Sequence, residues 1–114
     1  MKELEREILI IGAGPAGLSA AIEAAKAGAK VTVADEHDTI GGQLYKQIHK
    51  FFGAADNHAG MRGFEIARKL EQEAKELGVE FWLSTVAYGI FKEGVGIVRD
   101  GDNFIVLSLI HISE

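Results

Sequence analysis

The sequence predicts an α/β fold, with a parallel sheet laid down in β–α–β–α–β order and followed by an antiparallel β-meander. Three observations carry that prediction. A glycine-rich turn, "GAGPAG", separates a β-branched run from an Ala-rich stretch. A second helical pattern leads into another apolar run, "VEFWL". Beyond it the apolar period shortens to that of strands, broken by the turn signals "KEG" and "DGDN".

Taken in order, Ile8 to Ile11 is a continuous apolar run of the kind found in a strand buried on both faces. The segment "LSAAIEAAKAGAK" reads as a helix with Gly28 as its stop signal. Pro15 falls in its first turn, where a missing N–H breaks no intrahelical bond. "KVTVAD" is β-branched and alternating, so residues 6–35 form one β–α–β unit. After the loop "EHDTIGGQ", a short helix is expected over Leu44 to Phe52, followed by a turn-rich break, "GAADNHAG". From Met61 to Leu77 the residues Phe64, Ala67, Leu70, Ala74 and Leu77 recur at spacings of three and four, predicting an amphipathic helix ended by Gly78. "VEFWL", "TVAYGIF", "VGIVRD" and "NFIVLS" are then strands, and no internal repeat or low-complexity segment is present.

Size and charge narrow the functional classes. At 114 residues the chain is one domain at most, or part of one. With 47% hydrophobic and 25% charged residues it has the balance of an ordinary globular protein. A net charge of −5, with basic residues scattered among acidic ones, argues against a nucleic-acid surface, which needs clustered Lys and Arg. The absence of cysteine excludes disulfides and thiolate metal sites within the chain. The acidic start "MKELERE" is unlike a secretory signal, and no apolar run approaches a membrane span, so a cytoplasmic, soluble protein is expected.

Gly12, Gly14 and Gly17 form a G-x-G-x-x-G, extended by Ala21. Gly12 permits the tight turn out of the strand. Gly14, lacking a Cβ, lets a pyrophosphate approach the backbone, and Gly17 with Ala21 lets the helix pack closely on the sheet. A helix start also presents N–H donors and a positive dipole end to an anion. Asp35 lies 23 residues after Gly12, at the end of the second strand, where a carboxylate can accept both hydrogen bonds of an adenosine ribose and repel a 2′-phosphate. Glu36 is the adjacent alternative. The residues Gly12, Ala13, Gly14, Pro15, Ala16, Gly17, Asp35 and Glu36 are thus the candidate dinucleotide site. This fingerprint alone does not separate FAD from NAD.

The stretch "IGAGPAGLSAAIEAAKAGAKVTVADEHDTIGGQL" resembles the N-terminal FAD-binding segment of the two-dinucleotide-binding flavoprotein oxidoreductases, the thioredoxin-reductase and glutathione-reductase superfamily. The likeness spans residues 6 to about 106, more closely up to Gln43. It implies a Rossmann-like FAD/NAD(P)-binding domain, with Gly41, Gly42 and Gln43 as further FAD contacts near the flavin side. In the glutathione-reductase branch a redox Cys pair follows this glycine pair; here "GGQLYKQIHKFFG" carries none. The run looks most like the cysteine-free subgroup that includes the FAD subunits of amine, opine and sarcosine oxidases. The resemblance further implies that a complete member continues into a closing A-T-G turn and a second nucleotide-binding domain, where NAD(P) would bind. On that basis residues 1–106 are expected to be a partial, truncated FAD-binding domain, inactive by itself, of a FAD-dependent oxidoreductase. Such a parent would use a small-molecule electron donor or acceptor, bind neither nucleic acid nor membrane, and act as a homo-oligomer or with a partner subunit.

Two alternatives stay open: an NAD(P)-binding Rossmann domain of a dehydrogenase, and a non-redox dinucleotide-binding scaffold such as a thiazole-synthase-like protein. No catalytic residue and no metal ligand is singled out. His37 and His58 read as surface-loop residues and His49 as part of a solvated helix face. Phe51, Phe52, Phe64, Phe81 and Trp82 read as core, and Lys46 and Lys50 as solvated. The last eight residues, "LSLIHISE", match a translated transposon-end sequencing adapter, so residues 107–114 are expected to be a non-native tail and His111 is set aside.

Overall fold

The computed structural model describes residues 2–38 and 57–113. Its elements are β1 (Lys2–Ile11), α1 (Pro15–Lys26), β2 (Val31–Ala34), α2 (Asn57–Glu76), β3 (Glu80–Trp82), β4 (Thr85–Phe91), β5 (Gly94–Arg99) and β6 (Asp102–Ser113). The expected α/β order and meander are both present. The short helix expected over Leu44 to Phe52 lies outside the described residues.

A single six-stranded sheet in the order β3-β2-β1-β6-β5-β4 contains every strand among the described residues. β1, β2 and β3 run parallel, with Ile8 beside Val31 and Thr32 beside Glu80. β5 runs antiparallel to both of its neighbours, β4 and β6. The join is β6, which lies parallel to β1 from Lys2 opposite Phe104 to Ile11 opposite Ser113. The meander is therefore not an appendage but the second half of a mixed sheet. Residues 107–113 belong to this strand, where they pair with β1.

Two cores form on opposite faces. On one, Ile10, Val31 and Val33 pack against Leu18, Ala21 and Ile22 of α1 and Ala74 of α2. The small Ala21, fully buried, permits the close helix–sheet contact that the glycine motif demands. Lys26 of α1 bonds Glu73 of α2 at 3.1 Å and ties the helices at their exposed rim. On the other face Leu9, Ala34 and Trp82 pack against Val95, Ile97 and Val106, so the meander bends back over the parallel strands. Trp82 is stacked by two guanidinium groups, Arg6 at 4.9 Å and Arg99 at 5.1 Å. As expected, Phe81 and Trp82 belong to the core.

Three boundaries differ from the sequence reading. β1 begins at Lys2 rather than Ile8, because its charged first half pairs with β6 while alternate residues stay at the surface. α2 begins at Asn57, inside the expected turn-rich break, since extending a formed helix adds one hydrogen bond per residue fixed and absorbs the cost of Gly60. Leu77, counted on the apolar stripe of that helix, falls past its end and is 37% exposed.

Candidate functional site

The glycine turn sits where the carboxyl ends of β1 and β2 meet the start of α1, the usual position of a ligand crevice in an open α/β sheet. Gly12 has φ +109°, a conformation that L side chains rarely adopt, and its N–H donates to Ala34 O at 2.7 Å. Gly14 caps α1 in an extended conformation and Pro15 opens the helix, as the motif requires. In the first turn of α1, Gly17 is buried and Ala16 is exposed.

Asp35 follows β2 directly, and its carboxylate bridges the two strand ends. Oδ2 accepts the Ala13 N–H at 2.5 Å. Oδ1 accepts the His37 N–H at 2.8 Å and lies 2.6 Å from His37 Nδ1. Because a carboxylate only accepts, Nδ1 carries the proton in that contact. The backbone here is held from below as well: Asp35 N–H donates to Trp82 O, Thr85 N–H to Asp35 O, and Ser84 N–H to His37 O, each at 2.8–2.9 Å. Ser84 takes a left-handed conformation, φ +49°, to turn β3 into β4 at this point.

These elements enclose a cleft of about 280 Å3 lined by Ile11, Gly12, Gly14, Asp35, Glu36 and His37 on one side and by Thr85 to Ala87 of β4 on the other. Gly12, Gly14, Asp35 and Glu36 are thus brought together as the spacing predicts. Ala13 is buried and contributes its N–H, while Gly41, Gly42 and Gln43 lie outside the described residues. The sequence reading missed His37, which it placed on the surface. The readable signal was the i, i+2 relation to Asp35, since aspartate side chains commonly bond the backbone two residues on. His111 is exposed on β6, away from this cleft. Among the described residues no cluster of acids and histidines could hold a metal ion, and no helix is long and apolar enough to cross a membrane.

The cleft brings together glycine backbone, a helix start and a carboxylate, groups whose chemistry suits a pyrophosphate and a ribose. Comparison with known proteins gives the same direction. The model of a family described as FAD dependent oxidoreductase matches residues 7–94. An opine oxidase component from Agrobacterium tumefaciens (strain Ach5) is 55% identical over 42 residues, covering 37% of this chain and 8% of that protein. Thiamine thiazole synthase of Thermotoga maritima is 38% identical over 80 residues, covering 68% of this chain and 27% of the synthase. The fold is shared with L-proline dehydrogenase from P. horikoshii, with a TM-score of 0.76 at 23% identity over 98% of this chain and 22% of that one. The chain therefore spans only a small part of the relatives it matches. With the family model covering most of its length, the chain belongs to the FAD-dependent oxidoreductase family.

Proposed function

We propose that this chain binds the adenosine diphosphate half of FAD and that the protein of which it forms part oxidises a small amine such as an opine, the substrate that one relative's name carries. The observation that carries the reading is the meeting of the Gly12–Gly14 turn with the Asp35 carboxylate in one cleft, in a chain of this family. When bound, FAD supplies the redox chemistry; the residues here supply position and electrostatics. The Gly12 turn and the start of α1 face the pyrophosphate, Asp35 takes the ribose, and Gly41, Gly42 and Gln43 are assigned the flavin side. We place NAD(P) in the full-length protein outside this chain, in a second domain that the two-dinucleotide resemblance supports. A partner subunit or a second copy is proposed because the opine oxidase relative is named as one subunit of its enzyme. A cytoplasmic location is proposed from the cysteine-free composition.

The test is the spectrum of the full-length protein. An oxidised-flavin absorption band that fades when an amine substrate is added without oxygen supports the reading; protein that carries no flavin overturns it. The likeness to thiamine thiazole synthase favours a second reading, a dinucleotide-holding scaffold without redox turnover. Bound dinucleotide with no flavin reduction by any amine would favour that one.

A further inference from the structure

The acceptor capacity of Asp35 is nearly filled before any ligand arrives. A carboxylate offers about four lone-pair positions, two on each oxygen. Both positions on Oδ1 face His37, one its N–H at 2.8 Å and the other its imidazole Nδ1 at 2.6 Å. One position on Oδ2 faces the Ala13 N–H. Counting the described residues, a single acceptor position is left, on Oδ2. Yet an adenosine ribose presents two hydroxyls. The backbone contacts cannot yield without breaking the loop, because Ser84 and Thr85 hold the same segment by its main chain. The imidazole is different, for it hangs at the rim of the cleft with its side chain 29% exposed.

We propose that His37 is a specificity-determining residue: its imidazole occupies the second acceptor position of Asp35, so the carboxylate reads one ribose hydroxyl instead of two. This rests on the reading of the cleft as the adenosine diphosphate site. The ring and the second hydroxyl compete for Oδ1, and whichever sits there excludes the other. Removing the ring opens that position to the ligand, whereas an Asn at 37 keeps a donor near the place of Nδ1 and keeps it closed.

Titration calorimetry with ADP, 2′-deoxy-ADP and 3′-deoxy-ADP tests this on the whole chain, on His37→Ala, on His37→Asn and on Asp35→Ala. Neither substitution at 37 touches the main-chain bonds that fix the loop, so folding is retained, and circular dichroism checks it. In the wild type, one deoxy nucleotide should bind within about twofold of ADP and the other about ten- to hundredfold more weakly, the worth of a hydrogen bond to a charged group. In His37→Ala both deoxy nucleotides should lose about ten- to hundredfold relative to ADP. His37→Asn should restore the single-hydroxyl pattern. A wild type that loses affinity for both analogues, or a His37→Ala variant that keeps the single-hydroxyl pattern, overturns the role of His37 while leaving the site intact. ADP binding that is absent, or that Asp35→Ala leaves unchanged, overturns the site itself and this inference with it.

Discussion

Replacing Asp35 with Asn separates the two jobs that its carboxylate performs. Asn keeps one acceptor oxygen and exchanges the other for an NH2 group, which only donates. At this position both oxygens face donors, Ala13 N–H on Oδ2 and His37 N–H on Oδ1. Whichever way the amide turns, one N–H meets a donor. If it is that of Ala13, which is 1% exposed, water cannot replace the lost partner. A buried group left unpaired costs about 1–3 kcal/mol, so the variant should unfold in urea with a stability lower by that amount. Ligand binding should fall for a second reason. A hydrogen bond to a charged group is worth about 1.5–3 kcal/mol and one between neutral groups about 0.5–1.5. The difference, on the order of 1–1.5 kcal/mol for a single hydroxyl, is close to tenfold in ADP affinity. Urea unfolding and calorimetry on the same preparations measure both. Unchanged stability together with unchanged ADP affinity would refute the claim that this carboxylate braces the glycine loop and reads the ribose.

Other perturbations follow from the core and the sheet edge. Trp82→Ala should destabilise the chain by about 3–5 kcal/mol in denaturant unfolding, since the ring is 1% exposed and flanked by Arg6 and Arg99. A loss under about 1 kcal/mol would mean that the meander does not close over β3. At Glu80, burial works to raise the carboxyl. Hydrogen bonds from Arg6 and Thr32, the Arg6 charge and the Trp82 indole together outweigh it and hold the group below its ordinary 4.5. A carboxyl held low in the fold stabilises above its ordinary value and loses that contribution as pH falls through the lowered one. Glu80→Gln should therefore cost stability at neutral pH and progressively less below about pH 4.5. A cost that grows on acidification would reverse the assignment.

What the sequence made legible was local. The turn at Gly12, the start of α1 at Pro15 and the acid at Asp35 all sit within one β–α–β unit, where spacing and residue type dictate geometry. The strands of the meander were readable for the same reason, each being bounded by its own turn residues. The parallel seam between β1 and β6 was not, because it joins residues about 100 positions apart and enlists the charged segment Lys2 to Glu7, which has no apolar period of its own. His37 was missed on different grounds. A histidine in a polar loop has no apolar face to mark it, and its role appears only once the Asp35 carboxylate is seen to have both oxygens engaged.

The most direct test of the central claim is competition for the cleft. FAD bound to the purified chain, followed by flavin fluorescence, should be displaced by ADP at a stoichiometry of one, and FMN, which lacks the adenosine half, should leave it in place. Displacement by FMN but not by ADP, or binding of neither FAD nor ADP, would contradict the account.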